Sequence, residues 1–242
     1  MSKKVHLEDL KGKLIVSCQA SVGDALYGSE TMCKMAIAAR DGGASGIRAN
    51  SPEDVALICS KVDLPVIGLW KRHYPDSEVY ITPTYADVES MAQAGAQIVA
   101  LDATLRPRPN GETLEEIVKK IRQNYSCLLM ADVSTLEEGI HAYKLGFDIV
   151  STTLSGYTPY SVQSEDPDIA LVGELTKRIP IPVFAEGRIQ TLEQVERLLE
   201  NGAFSVVIGS TITRPHVITK RFVDKMDQMK AEIKRLENEL AK

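Results

Sequence analysis

The sequence has little of what builds metal centres, disulfide frameworks or nucleic-acid surfaces. It holds four cysteines among 242 residues. These are Cys18, Cys33, Cys59 and Cys127, and none forms a CxxC pair. That spacing speaks against a zinc or dithiol site and, at this length, against a disulfide framework. Free thiols are expected, with Cys18 and Cys127 buried in apolar strand-like runs. The four histidines, His6, His73, His141 and His216, share no ligand spacing, so no metal is expected. No apolar run approaches the ~20 residues of a membrane span. The opening Met1-Ser2-Lys3-Lys4-Val5-His6 lacks the apolar core of a secretory leader. Basic residues are not in excess: 28 Lys and Arg against 33 Asp and Glu give a net charge of −5. A general nucleic-acid binder would carry the opposite sign. There is no Walker motif, no nucleophile elbow and no Ser-His-Asp order. The expectation is a cytoplasmic protein with neither nucleic acid nor membrane as partner.

Eight apolar runs of strand length are present, and helical patterns separate them. The runs are 14–20, 46–49, 65–71, 98–104, 127–133, 149–154, 182–187 and 205–210. Nearly continuous apolar runs suit parallel strands buried on both faces. Helix starts are marked by Ser51-Pro52, Ser134-Thr135 and Thr191-Leu192. Helix ends are marked by Gly95, Gly146 and Gly202, since a glycine takes the left-handed conformation that stops a helix. Eight strand–helix units in one chain of this length predict an α/β fold, a (β/α)8 TIM barrel spanning residues 1–223. The rival is a doubly wound open sheet. It would carry a glycine-rich dinucleotide fingerprint after its first strand, and Gln19-Ala20-Ser21-Val22-Gly23-Asp24 does not match one.

Two connections are long. Residues 72–83 predict an extended third loop with an extra strand at 79–81, and residues 155–168 an extended sixth loop; both should lie at the C-terminal face of the barrel. The tail, 224–242, repeats Met226, Met229, Ile233, Leu236 and Leu240 at spacings of three and four. That is a heptad seam. It reads either as an added oligomerising strip or as a continuation of the last barrel helix, and its Lys/Glu/Leu composition also fits an engineered zipper.

Side chains at the C-terminal ends of barrel strands point into the mouth. The candidates there are Gln19, Arg48, Lys71, Asp102 or Thr104, Asp132, Thr153, Glu186 and Ser210, followed by Arg214. A lysine, several carboxylates and two arginines around one mouth are a set that core packing would not select. Lys71 is the candidate base, because neighbours and desolvation bring a lysine toward neutral pKa. Glu186 precedes Gly187 at the seventh strand end and is the candidate acid. Asp132 serves equally well as a helix cap. Arg48 and Arg214 would bind anions. Gly187, Arg188, Gly209 and Ser210 lie at the seventh and eighth strand ends, where barrels of the phosphate-binding type hold a phosphate. Glycine there lets backbone N–H groups approach its oxygens.

Several stretches carry a resemblance. They include Ile15-Val16-Ser17-Cys18-Gln19-Ala20, Gly46-Ile47-Arg48-Ala49-Asn50, Gly68-Leu69-Trp70-Lys71 and Tyr80-Ile81-Thr82-Pro83-Thr84. Ala131-Asp132-Val133-Ser134-Thr135, Thr152-Thr153-Leu154-Ser155-Gly156-Tyr157-Thr158, Ala185-Glu186-Gly187-Arg188 and Ile208-Gly209-Ser210-Thr211-Ile212-Thr213-Arg214-Pro215 complete the set. From about residue 10 to 222 the chain resembles the N-acetylmannosamine-6-phosphate 2-epimerases; the heptad tail lies outside the resemblance. The resemblance implies a phosphate-binding barrel that interconverts N-acetylmannosamine 6-phosphate and N-acetylglucosamine 6-phosphate without a cofactor, in sialic-acid breakdown. It implies Lys71 as catalytic lysine and Glu186 as its partner. It implies Gln19, Arg48, Asp132 and Arg214 as substrate-binding residues, and a homodimer. Three other readings stand beside it: a Schiff-base lyase acting through Lys71 on a phosphorylated keto substrate, a metal-dependent pentose-phosphate epimerase, and an inactive barrel that displays a coiled coil.

Overall fold

The computed structural model describes residues 5–240. The first four positions of the expected barrel segment, which include most of the opening read above for a leader, and the last two of the tail lie outside these residues. The strands are β1 (Lys13–Cys18), β2 (Gly46–Asn50), β3 (Val66–Leu69), β4 (Ile98–Asp102), β5 (Leu128–Asp132), β6 (Ile149–Ser151), β7 (Val183–Glu186) and β8 (Ser205–Ile208). The helices are α1 (Ser29–Asp41), α2 (Pro52–Lys61), α3 (Tyr85–Gln93), α4 (Leu114–Asn124), α5 (Leu136–Lys144), α6 (Ile169–Arg178), α7 (Leu192–Glu200), the single turn α8 (Ser210–Thr213) and α9 (Pro215–Leu240). Every neighbouring strand pair is parallel, and β8 closes on β1 through Leu14 opposite Val206 and Val16 opposite Ile208. The molecule is a closed eight-stranded (β/α)8 barrel.

The period-two alternation of the strands divides the apolar residues into two cores. Ile15, Ile67, Ile98, Ala100, Met130, Ile149, Phe184 and Val207 point inward and fill the barrel. Leu10, from a short 3-10 turn at Leu7–Leu10, joins them. Their sequence neighbours Val16, Val66, Val99, Leu129, Val150, Val183 and Val206 point outward and pack under the helices. Each fully buried aliphatic or aromatic side chain contributes about 1.5–3 kcal/mol. A barrel packed this way has no pore, so a ligand can enter only at the strand ends.

Local chemistry fixes the helix boundaries. Ser51 accepts a hydrogen bond from the Asp54 amide ahead of α2, with Pro52 at the first helical position. Thr84, Thr113, Thr135 and Thr191 each close a reciprocal capping box, with Asp87, Glu116, Glu138 and Gln194 respectively. Gly95, Gly146 and Gly202 take φ of +97°, +87° and +91° just past α3, α5 and α7. Where an extra strand was expected at 79–81 there is only one antiparallel bridge, Lys71 to Ile81. The loop returns along β3 for a single residue pair, too short to form a ladder.

The tail does not begin a separate element. α9 runs unbroken from Pro215 through the heptad residues, a length of about 39 Å at 1.5 Å per residue. None of its described residues is buried, and Phe222, Met226, Met229, Ile233, Leu236 and Leu240 are exposed. Among the described residues all four cysteines are free, and no helix is long and apolar enough to cross a membrane.

Candidate active site

One cavity of about 550 Å³ opens at the C-terminal ends of the strands. Lys71, Glu186, Arg48, Gln19, Thr153 and Arg214 all line it, together with Gly187, Arg188, Gly209 and Ser210. The amine of the third unit and the acid of the seventh therefore face a shared space. Arg48, Lys71, Arg188, Arg214 and Arg221 give the lining five basic side chains against the one carboxylate of Glu186. An acidic protein thus builds a positive pocket, suited to an anion.

The floor is an ion network. Arg48 is buried and holds Asp132 with two bonds, 3.1 Å from Nη1 and 2.5 Å from Nη2, while its Nη1 lies 3.2 Å from Glu186. Two parallel N–H···O bonds are the strong form of this pairing. Burial by itself would lower the Arg48 pKa, but Asp132 and Glu186 hold it above the ordinary arginine value. Asp132 does not line the cavity; it sits beneath Arg48, fully buried, so its direct contacts are with the protein. Thr153 Oγ1 stands 2.7 Å from Asp132 and 3.1 Å from Glu186. One hydroxyl proton serves one carboxylate at a time. A protonated Glu186 donates to Thr153, which then donates to Asp132. Burial pushes Glu186 up to about 6, against the opposing pull of Arg48, so this protonated form is accessible.

Lys71 is held from its backbone. Its N–H donates to Asn50 Oδ1 at 2.8 Å, and the bridge to Ile81 fixes it from the other side. The residue is accessible to water, yet its ammonium stands among the cavity walls. Burial lowers its pKa first and Arg48 lowers it further, while Glu186 opposes both. Among the described residues the Lys71 ammonium and the Arg214 guanidinium make no hydrogen bond or ion pair. These are charges available to a ligand. Gln19 donates to Ser17 Oγ at 2.8 Å and keeps its buried carbonyl oxygen without a partner. The Arg48 Nε is also buried and unpaired.

The turns after β7 and β8 line the same cavity. Gly187 has φ of +111°, a conformation open to glycine. Ser210 opens α8, whose first amides have no intrahelical acceptor. Thr211 Oγ1 donates to the Ile189 carbonyl at 2.8 Å and ties the two turns together. Arg188 differs from the expectation. Its guanidinium donates to the Ser155 carbonyl and, at 2.9 Å, to the Asp166 carbonyl, and it lies 5.5 Å from the centre of the Tyr157 ring. The side chain straps down the sixth loop instead of presenting its charge to a phosphate; its backbone remains at the turn. Gly156 accommodates it, since a Cβ there would collide with the guanidinium. Asp102 and Thr104 form a separate buried group with Arg106.

Sequence reasoning missed Tyr80, Tyr157 and Arg221, all of which line the cavity. They lie in the long loops or on α9, where no strand alternation marks the inward side. The Tyr80-Ile81-Thr82-Pro83 phrase was the one available signal. Among the described residues no three His, Cys, Asp or Glu side chains cluster as a metal site.

Comparison with known proteins identifies the family. Residues 32–228 match the family model described as "NanE: Putative N-acetylmannosamine-6-phosphate epimerase". A protein of Clostridium perfringens (strain SM101 / Type A) called "Putative N-acetylmannosamine-6-phosphate 2-epimerase" is 53% identical over 218 residues, covering 90% of this chain and 98% of its own. One of the same name from Caldanaerobacter subterraneus subsp. tengcongensis is 51% identical over 218 residues, covering 90% and 92%. The solved N-acetylmannosamine-6-phosphate 2-epimerase of Clostridium perfringens superposes with a TM-score of 0.88 at 51% identity, covering 93% of this chain and 99% of that one. Deoxyribose phosphate aldolase from Aeropyrum pernix, at 16% identity and a TM-score of 0.63 over 86% of this chain and 90% of its own, shares the barrel fold alone. The chain belongs to the N-acetylmannosamine-6-phosphate epimerase family.

Proposed function

We propose that this protein is a cofactor-independent isomerase that interconverts N-acetylmannosamine 6-phosphate and N-acetylglucosamine 6-phosphate. The observation that carries the reading is the shared cavity: Lys71 and Glu186 line one positive mouth whose far rim is the pair of glycine-bearing turns. The two sugars differ only at C2. Ring opening makes C1 an aldehyde, and the C2 hydrogen then becomes acidic. Lys71, as free amine, takes that proton and returns it to the other face. Glu186, with its pKa pushed up to about 6, keeps a protonated fraction that assists ring opening, while its ionised form acts on Lys71 through its charge. Arg48, anchored by Asp132, and the Thr153 hydroxyl together orient Glu186. Gln19 and the unpaired Arg214 hold the substrate, and the backbone of Gly187, Arg188, Gly209 and Ser210 cradles its phosphate.

The setting we assign is cytoplasmic, which free cysteines support. The oligomer we assign is a homodimer. The unpartnered apolar seam of α9 supports it, as do Leu192 and Leu199 exposed on α7.

Proton NMR in deuterated water with N-acetylmannosamine 6-phosphate tests the reading. The expected result is deuterium at C2 and conversion to the gluco epimer, with both rates reduced about 10²–10⁴-fold in Lys71→Ala, as for loss of a positioned base. Unchanged exchange in that variant overturns the assignment. Trapping of Lys71 by borohydride with substrate would instead favour a Schiff-base lyase.

A further inference from the structure

Proton removal at C2 places negative charge on oxygen at the C1–C2 end of the sugar, close to the carboxylates of Asp132 and Glu186. The two cations that act on Glu186 already have other tasks. Arg48 is bonded to both carboxylates, and Lys71 changes its own protonation during turnover. A neutral donor that keeps its proton would serve this oxygen best, and Tyr80 is placed to be one. It lines the same cavity as Lys71, Arg48, Thr153 and Glu186. Its hydroxyl has no hydrogen-bond partner among the described residues.

The backbone around Tyr80 is held with unusual care. Thr82 is buried and β-branched, yet takes φ of +46°, a conformation that such a residue adopts only where its surroundings impose it. Its Oγ1 accepts from the Trp70 N–H at 3.0 Å and donates to the Ala100 carbonyl at 2.7 Å, and its own N–H donates to the Trp70 carbonyl at 2.7 Å. The Arg72 N–H donates to the Tyr80 carbonyl at 2.9 Å. Lys71 sits between these bonds, bridged to Ile81. The ring of Tyr80 stacks on His73, with centroids 5.9 Å apart and planes 15° apart. Tyr80 and Lys71 are therefore fixed as one unit at the end of β3, across the barrel from the turns after β7 and β8.

We propose that Tyr80 is a further catalytic residue, whose hydroxyl donates a hydrogen bond to oxygen at the reacting end of the sugar and retains its proton throughout. This rests on the epimerase reading and extends it. Burial, together with Asp132, Asp102 and Tyr157, pushes the phenol up to about 12, so it stays protonated through the working range.

Tyr80→Phe keeps the ring and its stack on His73 and removes only the donor. The experiment is the same deuterium-exchange assay on wild type, Tyr80→Phe, and a protein carrying 4-aminophenylalanine at position 80, which restores a neutral N–H donor. The expected result is a kcat lower by about 10²-fold in the Phe variant, the scale of a lost oxyanion donor, with KM within about threefold. The amino variant should recover at least tenfold of the loss. A Phe variant within about threefold of wild-type kcat overturns the proposal, as does a loss confined to KM. A loss that the amino variant fails to recover assigns Tyr80 to packing and overturns it too. If the wild-type protein itself leaves the C2 hydrogen in place, the epimerase reading falls, and this proposal with it.

Discussion

The mouth of the barrel and the C-terminal helix invert the usual placement of side chains in opposite ways. The mouth buries Arg48 and Asp132 and half-buries Glu186, while α9 exposes Phe222, Met226, Ile233 and Leu240. Buried charge is tolerated when paired and hydrogen-bonded, and the bidentate Arg48–Asp132 contact with Thr153 supplies that. An exposed apolar strip has no such internal remedy, and another surface must cover it. The first inversion is complete within one chain and is tuned for chemistry. The second is incomplete within one chain, and the homodimer proposed above would cover it.

Substitutions can separate the two regions. Arg48→Met should have the largest effect, because it leaves the buried Asp132 and the half-buried Glu186 without their cation; loss of about 3–5 kcal/mol in urea unfolding is expected. A stability close to that of wild type would mean that the network contributes little.

A smaller effect comes from pH. The folded pKa of Glu186 lies above its ordinary 4.5, at about 6, so between those values the folded state holds more proton than the unfolded one. Stability therefore falls as pH rises through this window, by up to about 2 kcal/mol from this group. Paired unfolding curves at pH 4.5 and 6.5 should show that slope in wild type and lose it in Glu186→Gln.

The smallest effect on the chemistry is expected from Ile233→Asp on α9. Light scattering should report a shift from dimer toward monomer, while kcat per chain stays within about twofold. A collapse of activity would tie the tail to the mouth and end the comparison.

The fold was legible because its signals are local and repeat. Each strand is an apolar run, and each helix opens with a capping residue such as Ser51 or Thr191. The strand-end rule also found Lys71, Glu186, Arg48 and Gln19, because a barrel converts sequence position into radial position. It failed where side-chain direction depends on tertiary contacts. Arg188 stands at the right strand end, but the carbonyls of Ser155 and Asp166 turn its guanidinium aside. Asp132 stands at another, and Arg48 covers it. Tyr80 belongs to no strand and is aimed by bonds between residues ten and more apart, which no periodicity records.

The most direct measurement is the titration of Lys71 itself, followed by NMR on protein carrying isotope-labelled lysine, in wild type and in Glu186→Gln. If amine and carboxyl face one another across a single mouth, the wild-type Lys71 pKa lies below the ordinary lysine value. It should fall further when the opposing negative charge is removed. A Lys71 that titrates like a surface lysine, or one indifferent to the change at Glu186, contradicts the shared site.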